Sequence, residues 1–228
     1  MKPLSDFPKL HCPFKRKIYD VNKKDFEEFG RLYNLRIPSV NLVINEINEG
    51  YEWVFEDKDT IAIEKLDGTN IKLETENGRL YKVYNRKNMI DPLNIMGGPI
   101  HILEGILYSA SRGYIEENGI QAGEVIGPKL QGNPYNINYH VWYPFKMAID
   151  KLRYKSFHTH ERNYDNWNSW FKDYLPSLFC MKRGMGNRNK AEGVVFYNLK
   201  RKEEGKTYMA KLRRDMFEWY YEKIRILK

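Results

Sequence analysis

Thr60-Ile61-Ala62-Ile63-Glu64-Lys65-Leu66-Asp67-Gly68-Thr69-Asn70 opens as an apolar, β-branched run and leaves it through a glycine-containing turn. Working outward, Ile71-Lys72-Leu73-Glu74 alternates as a strand, Asn77-Gly78 is a hairpin turn, and residues Arg79 to Tyr84 run back. The stretch therefore predicts an antiparallel meander. A lysine leaving a strand into such a turn is either held rigidly with its amine aimed into a cleft or solvated on a surface hairpin. Lys65-Leu66-Asp67-Gly68 alone does not choose between the two.

Further out, Pro3, Pro8, Pro13 and Pro38 make the first forty residues irregular and confine helix to Lys23–Asn34. Helical spacing runs from Ile100 to Glu117 through Ile102, Leu103, Ile106, Leu107 and Ala110, with Gly119 just beyond. Short strands are expected at Gly123–Ile126 and His140–Tyr143, and an amphipathic helix at Trp167–Phe179. A basic, mobile loop follows at 181–190, then strands at Glu192–Tyr197 and Thr207–Leu212 around a charged turn at 200–205, and a closing helix from Asp215 to Leu227. Strands and helices do not alternate regularly, so the fold class is α+β. No linker divides residues 1–228, which are read as one domain.

The chain has 228 residues, 42% apolar and 30% charged, enough for a real core and unlike a disordered chain. No run approaches the ~20 apolar residues of a membrane span. The N-terminus, Met1 to Asp6, lacks the apolar core of a signal peptide, so a cytoplasmic protein is expected. Cys12 and Cys180 are too few for a disulfide framework or a cysteine-built zinc site. Thirty-eight Lys and Arg against thirty Asp and Glu leave +8, which favours a polyanionic partner, nucleic acid first. Seventeen Tyr and five Trp supply rings that stack on bases or fill a core.

Lys65 is followed, in order, by Asn85-Arg86-Lys87-Asn88, Gly123-Glu124-Val125-Ile126-Gly127, Tyr139-His140-Val141-Trp142, Ala191-Glu192-Gly193-Val194-Val195 and Ala210-Lys211-Leu212-Arg213. In order and approximate spacing this set resembles the covalent nucleotidyltransferase superfamily of ATP-dependent ligases and capping enzymes, and within it the phage-type RNA ligases. The resemblance covers Ile61 to Phe217 and leaves an N-terminal extension of about 50 residues. It implies the ligase adenylation (nucleotidyltransferase) fold, antiparallel sheets flanked by helices around an ATP cleft.

It also implies roles. Lys65 attacks the α-phosphorus of ATP and becomes lysyl-AMP. An ammonium cannot attack, so the site must favour the neutral amine, and charges at Lys211, Arg213 and a bound metal work in that direction. The same cations stabilise the α-phosphate and the departing pyrophosphate. Glu64 corresponds to the position that receives the adenine amino group; a carboxylate only accepts, so it selects adenine over guanine. Trp142 matches the base-stacking aromatic, with Tyr139 as the competing choice and a core role as the alternative. Glu124 meets the ribose, Glu192 helps to hold Mg²⁺ (Mn²⁺ as the substitute), and Asn70 orients the metal's water, so Glu192, Glu124 and Asn70 form the metal set. Arg86 lies near the ribose and terminal phosphates. Asp67 secures the turn and is a weaker catalytic candidate.

The chain departs from the family at Lys211-Leu212-Arg213, where lysine often stands at the third place; a guanidinium binds phosphate as a fork, not a point. Eleven residues after Phe217 leave no room for a C-terminal OB or RNA-binding domain. RNA is then held by the catalytic domain itself, through Lys182, Arg183, Arg188 and Lys190 around Gly184-Met185-Gly186, or by an accessory protein. Lys15-Arg16-Lys17 is a weaker basic patch, and His158-Thr159-His160 reads as solvated rather than metal-binding. The expected function is ATP-dependent RNA ligation of 5′-phosphate and 3′-hydroxyl ends, in a compact enzyme of phage or viral type. The rivals are a DNA ligase, a guanylyltransferase, and a silent binder of RNA ends.

Overall fold

The computed structural model describes residues 10–91, 99–159, 161–203 and 208–228. Along the chain these form β1 (Phe14–Val21), α1 (Lys23–Phe29), β2 (Ser39–Ile47), α2 (Trp53–Glu56), β3 (Thr60–Lys65), β4 (Thr69–Glu76), β5 (Arg79–Asn85) and β6 (Asn88–Met89). Then come α3 (Ile100–Ser111), β7 (Gly119–Ile126), β8 (Val141–Pro144), α4 (Phe145–Lys151), α5 (Tyr164–Ser169) and α6 (Leu178–Lys182). The last elements are β9 (Gly193–Asn198), α7 (Leu199–Glu203), β10 (Met209–Arg213) and β11 (Ile226–Leu227). The result is a mixed α/β fold of antiparallel sheets and helices. Among the described residues no helix is long and apolar enough to cross a membrane.

The chain divides into two compact units. One holds Leu66–Arg153 and Ser177–Asn189 and carries the five-stranded sheet in the order β6-β5-β4-β7-β8. Its core is Ile71, Leu73, Val83, Ile102, Ile106, Val125, Leu130 and Trp142. Helix α3 buries Ile102, Gly105, Ile106 and Ser109 at i, i+3, i+4, i+7 spacing; of the expected apolar stripe, Ile102 and Ile106 are buried while Leu107 and Ala110 are exposed.

The other unit holds Leu10–Lys65, Tyr154–Pro176 and Lys190–Lys228, with two three-stranded sheets, β11-β1-β2 and β10-β9-β3. Its centre is aromatic. Trp167 stacks on Phe55 and on Phe196 at 4.9 Å each and meets Phe14 edge-on at 5.7 Å. Such pairs add about 0.5–1.5 kcal/mol each beyond their burial.

Several expectations change. Residues 14–21 are a strand, not irregular chain: Lys15 to Ile18 are all exposed, so no apolar alternation marks β1, and pairing with β2 and β11 creates it. Helix α1 stops at Phe29, and α3 at Ser111 rather than Glu117, with Gly113 at φ +69° after it. The hairpin β4–β5 stands, but β3 leaves the expected meander and pairs with β9. Gly68 is not the pivot of a tight hairpin. A Cβ there would lie 2.2 Å from the Val125 carbonyl oxygen, so the glycine serves a close approach to β7.

The expected helix 167–179 is broken by Pro176 into α5, a π-turn at Trp170–Tyr174, and α6. The closing helix is two 3-10 turns, Arg214–Met216 and Glu218–Tyr221, followed by β11 on β1. Ring packing, Phe217 on Phe171 at 5.4 Å and on Trp219 at 5.6 Å, fixes these turns without a longer helix. The charged turn begins as α7; residues 204–207, like Met1 to Asp6 and His160, lie outside the described residues.

Candidate active site

In the sheet β10-β9-β3, Lys65 and Arg213 both stand opposite Gly193, and Lys211 stands opposite Val195. Directly opposed residues share a face and strands alternate with period two, so Lys65, Arg213 and Lys211 lie on one face. Gly193 is required between them. A Cβ there would fall 2.2 Å from the Leu212 carbonyl oxygen.

Glu192, the residue before β9, ties this face together. Lys65 Nζ donates to Glu192 Oε2 at 2.5 Å, and Arg213 Nη1 lies 3.7 Å from Oε1. Arg213 Nη2 pairs with Asp215 Oδ2 at 2.9 Å. The side chains of Lys65 and Glu192 are 21% and 19% exposed, shielded but reachable. Lys211 N–H donates to the His11 carbonyl at 2.9 Å, so the segment before β1 borders β10. Burial, then the charges of Arg213 and Lys65, lower the Lys211 pKa, against the pull of Glu192. Burial raises the Asp215 pKa although Arg213 opposes it. Arg213 Nε and Asp215 Oδ1 are buried without a hydrogen-bond partner. A cation face with an unfilled guanidinium donor suits phosphate oxygens.

Glu64 is on the opposite face, in register with Val194, and is 1% exposed beside the buried Tyr154, whose pKa its charge helps to raise. Its carboxylate thus lies on the face opposite Lys65, a consequence of adjacency in the strand.

In the other unit, the row Asn70–Glu124–Tyr143 crosses β4, β7 and β8 on one face. Asn70 Oδ1 is buried with no partner, and Glu124 is 9% exposed. Arg86 is exposed at φ +55° after β5, its N–H 3.4 Å from the Asn70 carbonyl. The backbone N–H of Asp67 donates to the Tyr135 hydroxyl at 2.5 Å. Trp142 belongs to the other face: it is 0% exposed, and its indole N–H donates to the Ile71 carbonyl at 3.1 Å. Tyr143, 8% exposed and on the Glu124 face, is the aromatic that sequence reading passes over. Counting from Glu124 across the pairing finds it. Sequence reading also misses Asp215, as no motif marks it.

Metal ligation has a partial fit. Among the described residues no group of three or more His, Cys, Asp or Glu could cage an ion. The orphaned Asn70 oxygen opposite Glu124 suits an ion that keeps most of its water, as Mg²⁺ does, whereas Glu192 is occupied by Lys65 and Arg213.

Of the basic segment, Lys182 ends α6, and Lys182, Arg183 and Arg188 are all exposed. The segment is hydrogen-bonded rather than open: Ser177 N–H meets the Asn189 carbonyl at 2.7 Å, and Met185 N–H the Cys180 carbonyl at 3.1 Å. Lys190 belongs to the other unit and donates to the Asp173 carbonyl.

Solved structures similar to this chain are those of an RNA ligase. One is Naegleria gruberi RNA ligase with pyrophosphate, 19% identical over 75% of this chain and 54% of that one, TM-score 0.46. Mutants of the same ligase match as well: one with ATP and Mn at 17% identity over 95% and 63%, TM-score 0.46, and one with AMP and Mn at 18% over 72% and 51%, TM-score 0.44. The chain spans about half the length of the first of these ligase chains. No protein-family model and no curated protein matches it.

Proposed function

We propose that the chain is the adenylation domain of an ATP-dependent RNA ligase. The observation that carries the reading is the face Lys65–Glu192–Arg213 with Lys211 alongside, a lysine paired to a carboxylate within a cluster of cations. A purely structural ion pair needs one cation; three on one face leave positive charge for a polyphosphate.

Lys65 Nζ first loses its ammonium proton to solvent; the neutral amine's lone pair then forms an N–P bond at the α-phosphorus of ATP as a second N–H proton passes to Glu192 Oε2. The bond from that phosphorus to the bridging oxygen breaks, and pyrophosphate leaves with the electron pair. Arg213, whose Nε is unfilled, and Lys211 stabilise the charge that grows on these oxygens. The lysyl-AMP then passes AMP to an RNA 5′-phosphate. A 3′-hydroxyl attacks the activated end, AMP departs, and the phosphodiester is made. Each step is a displacement at phosphorus, so one set of cations serves all three.

For the other unit the roles follow from motif order. Glu124 receives the ribose, Arg86 the phosphates, and Tyr143 takes the base-facing role expected of Trp142. Asn70 and Glu124 would hold Mg²⁺ or Mn²⁺ through its water, and the ion when bound would neutralise phosphate charge.

The test is a pulse and chase. Protein labelled with α-labelled ATP is freed of nucleotide and given 5′-phosphorylated RNA. AMP should move from protein to the RNA 5′ end, and sealed product should follow. Label that stays on the protein, or moves only to DNA ends or to a diphosphate-ended RNA as a cap, contradicts the reading.

A further inference from the structure

Tyr108, near the C-terminal end of α3, stacks on Tyr139 with centroids 4.6 Å apart and planes 20° apart. Arg112, one turn beyond Tyr108, lies 5.3 Å from its ring centre. Arg183, just past α6, lies 5.4 Å from the Tyr139 ring and donates Nη1 to its hydroxyl. Four side chains from three separate segments of one unit thus form a ladder, cation, ring, ring, cation. Both arginines are exposed and both tyrosines partly so.

Three features distinguish this ladder from ordinary packing. Neither arginine has a carboxylate partner among the described residues, and the only acidic residue of α3, Glu104, is taken by His140 Nδ1 at 2.8 Å. Lys182 and Arg188 are exposed in the same segment as Arg183. Leu107, next to Tyr108, is 70% exposed, an apolar surface beside the rings. Rings, flat cations and unopposed charge in one place match a polymer with flat apolar faces and a regular negative charge.

We propose that the Arg112–Tyr108–Tyr139–Arg183 ladder is a binding site for unpaired RNA, with bases stacked on the guanidinium planes that the rings hold at the two ends of the ladder and phosphates held by the guanidinium N–H groups. The proposal deepens the ligase reading, and rests on it for the polymer being RNA; it adds that the substrate end is single-stranded. In a duplex the base faces are already covered by neighbouring bases, so only an unpaired strand gains from the flat guanidinium faces that end the ladder. The site lies among residues other than those given to nucleotide and metal.

Fluorescence anisotropy with a dye-labelled single-stranded oligoribonucleotide and with its blunt duplex decides the matter. The wild type should bind the single strand more tightly. Tyr108→Ala and Tyr139→Ala should each weaken single-strand binding about tenfold and barely alter duplex binding. Tyr108→Phe and Tyr139→Phe keep a ring and should restore it. Arg112→Ala and Arg183→Ala should each lower the salt slope by about 0.7. Thermal melts check the alanine variants; where one melts early, the arginine variants and the phenylalanine pair carry the comparison. Unchanged single-strand affinity in the tyrosine variants, or equal loss on strand and duplex, overturns the proposal. Absence of ATP-dependent label on the wild type would instead overturn the ligase reading, and it leaves the binding comparison untouched.

Discussion

Lys65 and Glu192 are 2.5 Å apart, and the second carboxylate oxygen lies 3.7 Å from Arg213, so Glu192 accepts the Lys65 hydrogen bond and is paired with Arg213 as well. Glu192→Gln keeps the shape and removes the charge. Self-labelling from ATP should fall about a hundredfold or more, the usual loss for a positioned proton acceptor. A loss below about threefold would leave Glu192 a scaffold only. Lys211 offers a test by titration. Its pKa is lowered from 10.5 by burial first and then by Arg213 and Lys65. Between the lowered value and 10.5 the unfolded chain binds more protons at this group than the folded one, so its contribution to stability rises with pH. The melting temperature of wild type minus that of Lys211→Met should therefore drift upward as pH climbs through that window. A flat or falling difference would contradict the burial of that ammonium among cations.

Strand alternation sends the two neighbouring aromatics of β8 to opposite faces. Trp142 points into the core with Val125 and Ile71, while Tyr143 points with Glu124. Trp142→Phe removes a hydrogen bond and leaves a gap, so unfolding in urea should show a loss of about 1–3 kcal/mol, with KM for ATP within twofold. Tyr143→Ala should instead raise KM for ATP severalfold. The reverse pattern would restore Trp142 to the base. The sequence exposes some of this and hides the rest for physical reasons. The β4–β5 hairpin, α3 and β9 are legible because Asn77-Gly78, the stripe Ile102–Ile106 and the run at 193–197 encode turn, face and burial locally. Strand β1 is not, since its exposed Lys15-Arg16-Lys17 draws strand character from partners distant in the chain. At the site, motif order singles out Lys65, Glu192, Lys211 and Arg213; pairing puts Lys65, Lys211 and Arg213 on one face, and Glu192, just before β9, reaches Lys65 and Arg213 through its side chain. Motif order says nothing of orientation, which register decides: Trp142 lies in the core and Glu64 on the face opposite Lys65.

At the scale of the whole chain, a net charge of +8 exceeds what the Lys65–Lys211–Arg213 face carries. Neutralising Lys182, Arg183 and Arg188 together should leave most ATP-dependent labelling intact, as no RNA takes part in that step. Transfer of AMP to RNA should drop, and the salt slope of single-strand binding should fall by up to about 0.7 for each phosphate the protein no longer neutralises. Equal reduction of labelling and transfer would assign those residues to the nucleotide site or to folding. All of this stands on one covalent bond. The most direct measurement is incubation with α-labelled ATP and Mg²⁺, a denaturing gel, and mass mapping of the labelled peptide, on wild type, Lys65→Ala and Lys65→Arg. The account predicts AMP on Lys65 in the wild type and none in either variant, since a guanidinium stays protonated and cannot attack. Label that persists in Lys65→Ala, or that maps to another residue, would contradict it.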